Sequence, residues 1–240
     1  MHGVKAHTTA GIVIAVIFLA IASVSAMEVQ IEHQPGAIDV FITSGPATLA
    51  VTDGLAVPEV DGCEPHSTPG APVLPLKAFT LAIPPDADEA SVTVTVEDLE
   101  TELMELPEGT RVQPGPPVAF WDGTKSVEVW DNPSQIVDGF DMTVYGADAL
   151  YPDFNVAGGA SGNMRKWSIA SVAFYPVCYN PVAGLLEVVR SAHIRVSFSI
   201  GKEMVPEEVM NDTVMDGEAA QRFDNIGQAL EWYPQPANKT

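Results

Sequence analysis

Between Val57 and Pro75 the chain places Pro58, Pro65, Pro69, Pro72 and Pro75 among Gly62 and Gly70. Each proline fixes φ and removes a backbone donor, so this stretch is closed to a helix and to a central strand. A long, ordered loop is expected there. Pro107 to Pro117, with Pro114 and Pro116, imposes the same break again. Regular structure must therefore come from short segments between such stops, which favours strands joined by turns over helices.

Those segments carry strand patterns. Ala37 to Ile42 and Ala47 to Thr52, separated by Ser44-Gly45-Pro46, read as edge strands, and Ala78 to Ile83 as a strand stopped by Pro84-Pro85. From Ser91 to Glu97, Val92, Val94 and Val96 alternate with Thr93, Thr95 and Glu97, the period of two of a half-buried strand. Leu99 to Leu106 extends it less regularly. Ser126 to Trp130, Met142 to Tyr145 and Arg165 to Tyr175 are further strand candidates, and Gly158 to Gly162 reads as a flexible loop. Asn180 to Gly184 is a hairpin turn, followed by a last strand in which Ile194, Val196, Phe198 and Ile200 alternate with polar residues. The expected fold is all-β, an antiparallel β-sandwich or jelly-roll-like domain over residues 27–200. Residues 201–240 read as an acidic linker and helical tail, with Ala219, Phe223, Ile226 and Leu230 as one apolar stripe.

At the N-terminus His2, Lys5 and His7 precede the apolar run Ala10 to Ala22 and Ser23-Val24-Ser25-Ala26. This is the pattern of a secretory signal over residues 1–26, cleaved after Ala26. The run is shorter than the roughly 17–25 residues of a membrane span, although extending it to Met27 would give an uncleaved anchor. The expected location is secreted, extracellular or at the cell surface, with the membrane met only during export. The formal charge is −21, and losing Lys5 with the signal makes it one unit more negative. Such a balance argues against nucleic acid and anionic membrane surfaces as partners.

Cys63 and Cys178 are the only cysteines. A bridge between them would close a long loop and contribute on the order of 4–5 kcal/mol; the alternative is two separate buried thiols. Paired with His33, His66 or His193, neither cysteine has the spacing or the glycine motif of a Cys-His hydrolase, and no partners stand at structural-zinc spacing. No catalytic residue or cofactor is assigned. The acids Asp86, Asp88 and Glu89, and Asp138 and Asp141, offer oxygens to calcium without matching a defined loop, and solvated turns are their simpler use. Asn211 and Asn238 head glycosylation sequons. Trp121, Trp130, Tyr145, Tyr151, Trp167 and Tyr175 on a sandwich suggest the alternative of a free-standing carbohydrate- or protein-binding module.

Three stretches share an order with a known family: Gly70 to Pro75 leading into the strand Phe79 to Ile83, Phe174-Tyr175-Pro176 through Asn180-Pro181 into Leu185 to Phe198, and, more weakly, Ala219 to Pro234. In this order they resemble the N-terminal propeptide domain of gingipain-type cysteine peptidases. The resemblance implies a sandwich that assists folding of a cognate peptidase catalytic domain and occludes its active site until proteolytic removal, with release expected between Lys202 and Arg222. It also implies a basic side chain set into the specificity pocket. Asp131 to Met164 contains no Lys or Arg, which leaves Arg165 and Lys166 as the candidate occluding residues.

Overall fold

A computed structural model describes residues 26–201, 203 and 205–233. The signal segment apart from Ala26, and Asn238, lie outside the described residues. The strands in chain order are β1 (Glu28–Gln34), β2 (Ala37–Thr43), β3 (Thr48–Thr52), β4 (Leu55–Glu59), β5 (Glu64–His66), β6 (Leu74–Ile83), β7 (Ala87–Glu105) and β8 (Arg111–Val112). They continue with β9 (Val118–Trp121), β10 (Ser126–Val129), β11 (Ile136–Val137), β12 (Phe140–Asp141), β13 (Val156–Met164), β14 (Trp167–Phe174), β15 (Val177–Asn180) and β16 (Leu185–Ile200). Four short helices are α1 (Met142–Tyr145), α2 (Glu207–Met210), α3 (Asp216–Arg222) and α4 (Ile226–Trp232).

The architecture is an antiparallel β-sandwich. In the larger sheet β16 is the spine: β7 runs along one side, while β15 and then β2 share the other, with β1 outside β2. The facing sheet has the order β13-β14-β6-β5. Period-two alternation sends Ile38, Val40 and Ile42 of β2, Phe79, Leu81 and Ile83 of β6, Ala170, Val172 and Phe174 of β14 and Ile194, Val196 and Phe198 of β16 into one buried core. Each large aliphatic or aromatic side chain taken from water there contributes about 1.5–3 kcal/mol. Ile200, the last of the alternating set, is exposed.

Several segments differ from their sequence patterns for identifiable reasons. The proline-rich stretch is not all loop: Pro58 lies in β4 opposite Leu49, and Pro65 in β5 faces Pro75 in β6. These are edge positions, where a missing N–H breaks no ladder. Met142 to Tyr145 is a helical turn because Asp141 Oδ1 accepts from Thr143 N–H (2.9 Å) and capping outweighs β propensity over so short a run. Gly158 to Gly162 lies inside β13, where a bulge falls between Gly158 and Ser161. A Cβ on Gly159 would sit 2.4 Å from Ser171 Oγ, so glycine here serves close strand approach rather than mobility.

The tail also departs from a linker. Its apolar stripe is divided between α3 and α4, and Ala219, Phe223, Ala229 and Tyr233 pack on Ala82 and Trp167 while Leu230 faces solvent. The segment between the two helices covers the open edge of β6. Thr80 N–H donates to Asp224 Oδ2 and Asp224 N–H to Thr80 O (2.8 and 3.0 Å), and the Asn225 side chain pairs with Ala82. An edge that would otherwise present free backbone groups is thereby closed.

Candidate functional site

The largest exposed aromatic on the surface stands on the ribbon formed by β9 and β10, which pair only with each other. Val118, Phe120, Trp121 and Val129 are all exposed on it, Trp121 at 68%. Asp122-Gly123-Thr124-Lys125 makes the tip. Asp122 Oδ1 accepts from Thr124 N–H, Thr124 Oγ1 and Lys125 N–H at 2.7–2.9 Å, and Gly123 takes φ +102. The bond from Lys125 N–H is the first cause holding the Asp122 carboxyl below its usual range. The turn is thus set by the Asp122 side chain.

Lys125 is exposed at this tip. Among the described residues it is the one Lys or Arg whose side chain meets neither a carboxylate nor an aromatic ring. An unpaired cation above a set of exposed apolar side chains suits insertion into an acidic pocket with an apolar rim. The pattern reading missed Lys125 because β9 follows directly on Pro116-Pro117. The signal was the Asp122-Gly123 turn between Val118–Trp121 and Val127–Val129.

Arg165 and Lys166 do not serve as free cations. Arg165 NH1 lies 2.7 Å from Asp212 Oδ2. Lys166 is 2% exposed, with Nζ 2.9 Å from Asp216 Oδ1 and 5.3 Å from the centre of the Trp167 ring. Withdrawing it would leave Asp216 uncompensated, and in this structure both cations fasten the tail to the sandwich. Arg222 sits in the docked α3, paired with Glu218.

Of the two readings for the cysteines, the structure has free thiols rather than a bridge. Cys63 is half-buried beside the core cluster of Leu74 and Tyr179, and burial raises its thiol to about 11. Cys178 is buried, accepts from Asn155 Nδ2 at 3.2 Å and is pushed up to about 12, again by burial. Neither is an activated thiolate. Among the described residues no three His, Cys, Asp or Glu side chains converge as metal ligands. Asp141 caps α1, Asp88 Oδ1 accepts from Ala90 N–H, and Glu89 Oε1 accepts from Ser168 Oγ. Asn211 is exposed at the C-terminal end of α2.

The six aromatics do not form one platform. Tyr145 and Trp167 are core residues, Trp121 is on the ribbon, Trp130 is half-buried just after β10, and Tyr151 and Tyr175 line a separate groove with His66 and Phe154.

The Propeptide_C25 family model matches residues 49–228. Two solved structures from Porphyromonas gingivalis share the fold. One is a complex of the RgpB pro- and mature domains, 18% identical, covering 83% of this chain and 97% of the matched chain with a TM-score of 0.62. The other, reported as an insight into the zymogenic latency of gingipain K, is 20% identical and covers 75% and 96%, with a TM-score of 0.56. No curated protein matches.

Proposed function

The chain belongs to the Propeptide_C25 family, and from that premise we propose that it is the propeptide of a secreted or cell-surface gingipain-type cysteine peptidase, assisting its folding and keeping it latent until proteolytic removal. The observation that carries this reading is the family match across residues 49–228, which takes in the whole smaller sheet, β7, β15 and β16 of the larger one and most of the docked tail. Burial raises the thiols of both Cys63 and Cys178, so neither cysteine is read as a nucleophile. Its role is to occupy a site on the partner. Covalent attachment to the catalytic domain would give an effective concentration in the millimolar range, so a modest contact suffices for latency.

In this reading the β9–β10 ribbon is the occluding element and Lys125 enters the specificity pocket. Trp121 and Phe120 supply the buried anchor that such a contact requires. Release follows cleavage after Tyr233, because any cut before α4 would leave α4, still joined to the catalytic domain, held to β6 and β14 by Asn225 and Tyr233.

The test is to read the coding sequence beyond Thr240, purify any cysteine-peptidase domain encoded there or beside it, and titrate it with residues 27–240. Stoichiometric loss of peptidase activity, relieved about tenfold or more by Lys125→Ala, is expected. A catalytic domain that the wild-type chain neither binds nor inhibits would overturn the reading.

A further inference from the structure

The tail closes one edge of the smaller sheet, yet the larger sheet is left open on the other side of the molecule. β7 is 19 residues long and pairs only with β16. Its first half is sheltered: Val92 and Val94 pack on the core, and Ser161 Oγ donates to Glu89 O across from β13. Beyond a register shift opposite His193 and Ile194 the strand runs clear. From Val96 to Glu105 only Leu99 and Met104 are half-buried, and Leu103 is 69% exposed. A strand with one partner presents N–H and C=O groups along its other side, the condition for strand addition by another segment.

The side chains on this edge select what can be added. Glu97, Asp98, Glu100, Glu102 and Glu105 lie within it, and no Lys or Arg occurs between Ala87 and Leu106. The cations nearest to it belong to β16: Arg190, 2.7 Å from Glu102, and Arg195, committed to Asp39. A second copy would bring an equal row of carboxylates against the first, so the acids work against self-association. They favour an extended segment carrying Lys or Arg, with Leu103 as an apolar contact.

Resting on the propeptide reading, we propose that the open edge of β7 over Val96–Glu105 takes up an extended, basic strand of the peptidase catalytic domain by backbone pairing. This contact is separate from the β9–β10 ribbon and accounts for the acidity of a surface whose occluding residue is basic. It supplies register and a salt-sensitive attraction, while the ribbon closes the active site.

Amide hydrogen exchange of residues 27–240, alone and with the purified catalytic domain, reads the edge directly. Slowed exchange of those Val96–Glu105 amides that point away from β16, the edge amides, is expected in the complex. The double variant Leu103→Lys, Glu105→Lys, at positions whose side chains face solvent, should weaken binding at least about tenfold and flatten its salt dependence. Glu207→Lys, Glu208→Lys, which add the same cations on α2, should leave binding unchanged. If the wild-type chain binds and inhibits while the edge amides exchange freely and the edge variant binds equally well, this proposal is overturned and the latency reading stands. Failure of the wild-type chain to bind at all overturns both. Protection of the same amides in the isolated chain, with dimerisation, would assign the edge to a second copy and sink the basic-strand proposal.

Discussion

The carboxamide of Asn225 pairs with both backbone groups of Ala82: Oδ1 accepts from Ala82 N–H and Nδ2 donates to Ala82 O, each at 2.8 Å. Both residues are buried, at 2% and 0% exposure. One side chain of the tail therefore acts as the missing neighbouring strand for β6. Asn225→Ala would leave a buried donor and acceptor unpaired, a loss of about 2–4 kcal/mol. The midpoint of urea unfolding followed by tryptophan fluorescence measures it; a shift worth under about 0.5 kcal/mol would mean that water replaces the amide.

Lys166 and Asp216 make the second fastening, reinforced by Trp167 Nε1, which donates to Asp216 Oδ1 at 3.2 Å. Removing only the carboxylate strands a buried ammonium, so Asp216→Ala should cost about 3–5 kcal/mol, while the apolar pair Lys166→Met with Asp216→Leu should recover most of it. Equilibrium unfolding of the single and double variants gives the coupling. Additive effects would show that the pair is incidental to the docking of the tail.

These two contacts explain what could and could not be read from the sequence. Alternation in Ile38–Ile42, Phe79–Ile83 and Ile194–Phe198 reports which face meets the core, because burial on one side is a local constraint with a period of two. Even so, Val96 continues the pattern of Val92 and Val94 and is exposed, at the point where β7 meets a register shift against β16. Asn225 and Lys166 carry no periodic signature: their partners lie 143 and 50 residues away. Lys125 was legible only through its Asp-Gly turn, and its exposure follows from β9 and β10 having no third strand.

Free thiols buried in different surroundings make a simple chemical forecast. With Cys63 raised to about 11 and Cys178 to about 12, the native protein at pH 8 should react slowly with iodoacetamide at both positions and rapidly in urea. Mass spectrometry of the alkylated chain scores each site. Reductant should leave the unfolding midpoint unchanged, whereas a drop on reduction would reveal a bridge between them.

Asp39 is 1% exposed on the outer side of β2, where Arg195 donates through Nε to Oδ1 (2.8 Å) and through NH2 to Oδ2 (3.1 Å). His193 Nε2 approaches Oδ1 at 2.9 Å, with its ring stacked on Phe41 at 4.3 Å. The hydrogen bond from Arg195 is foremost in holding the Asp39 carboxyl below its ordinary range, against the opposing effect of burial. A depressed folded-state pKa stabilises the fold at every pH above the unfolded value, about 3.9, and that contribution disappears as pH falls through the lower folded value. Asp39→Asn should therefore be less stable than wild type at pH 6 to 7, and the two unfolding free energies should converge as the pH is taken down towards about 2. Denaturant titrations at a series of pH values between those limits give the difference curve. A gap that stays constant through the acid range would show that Asp39 holds its two partners by geometry alone and that its ionisation contributes nothing to the larger sheet.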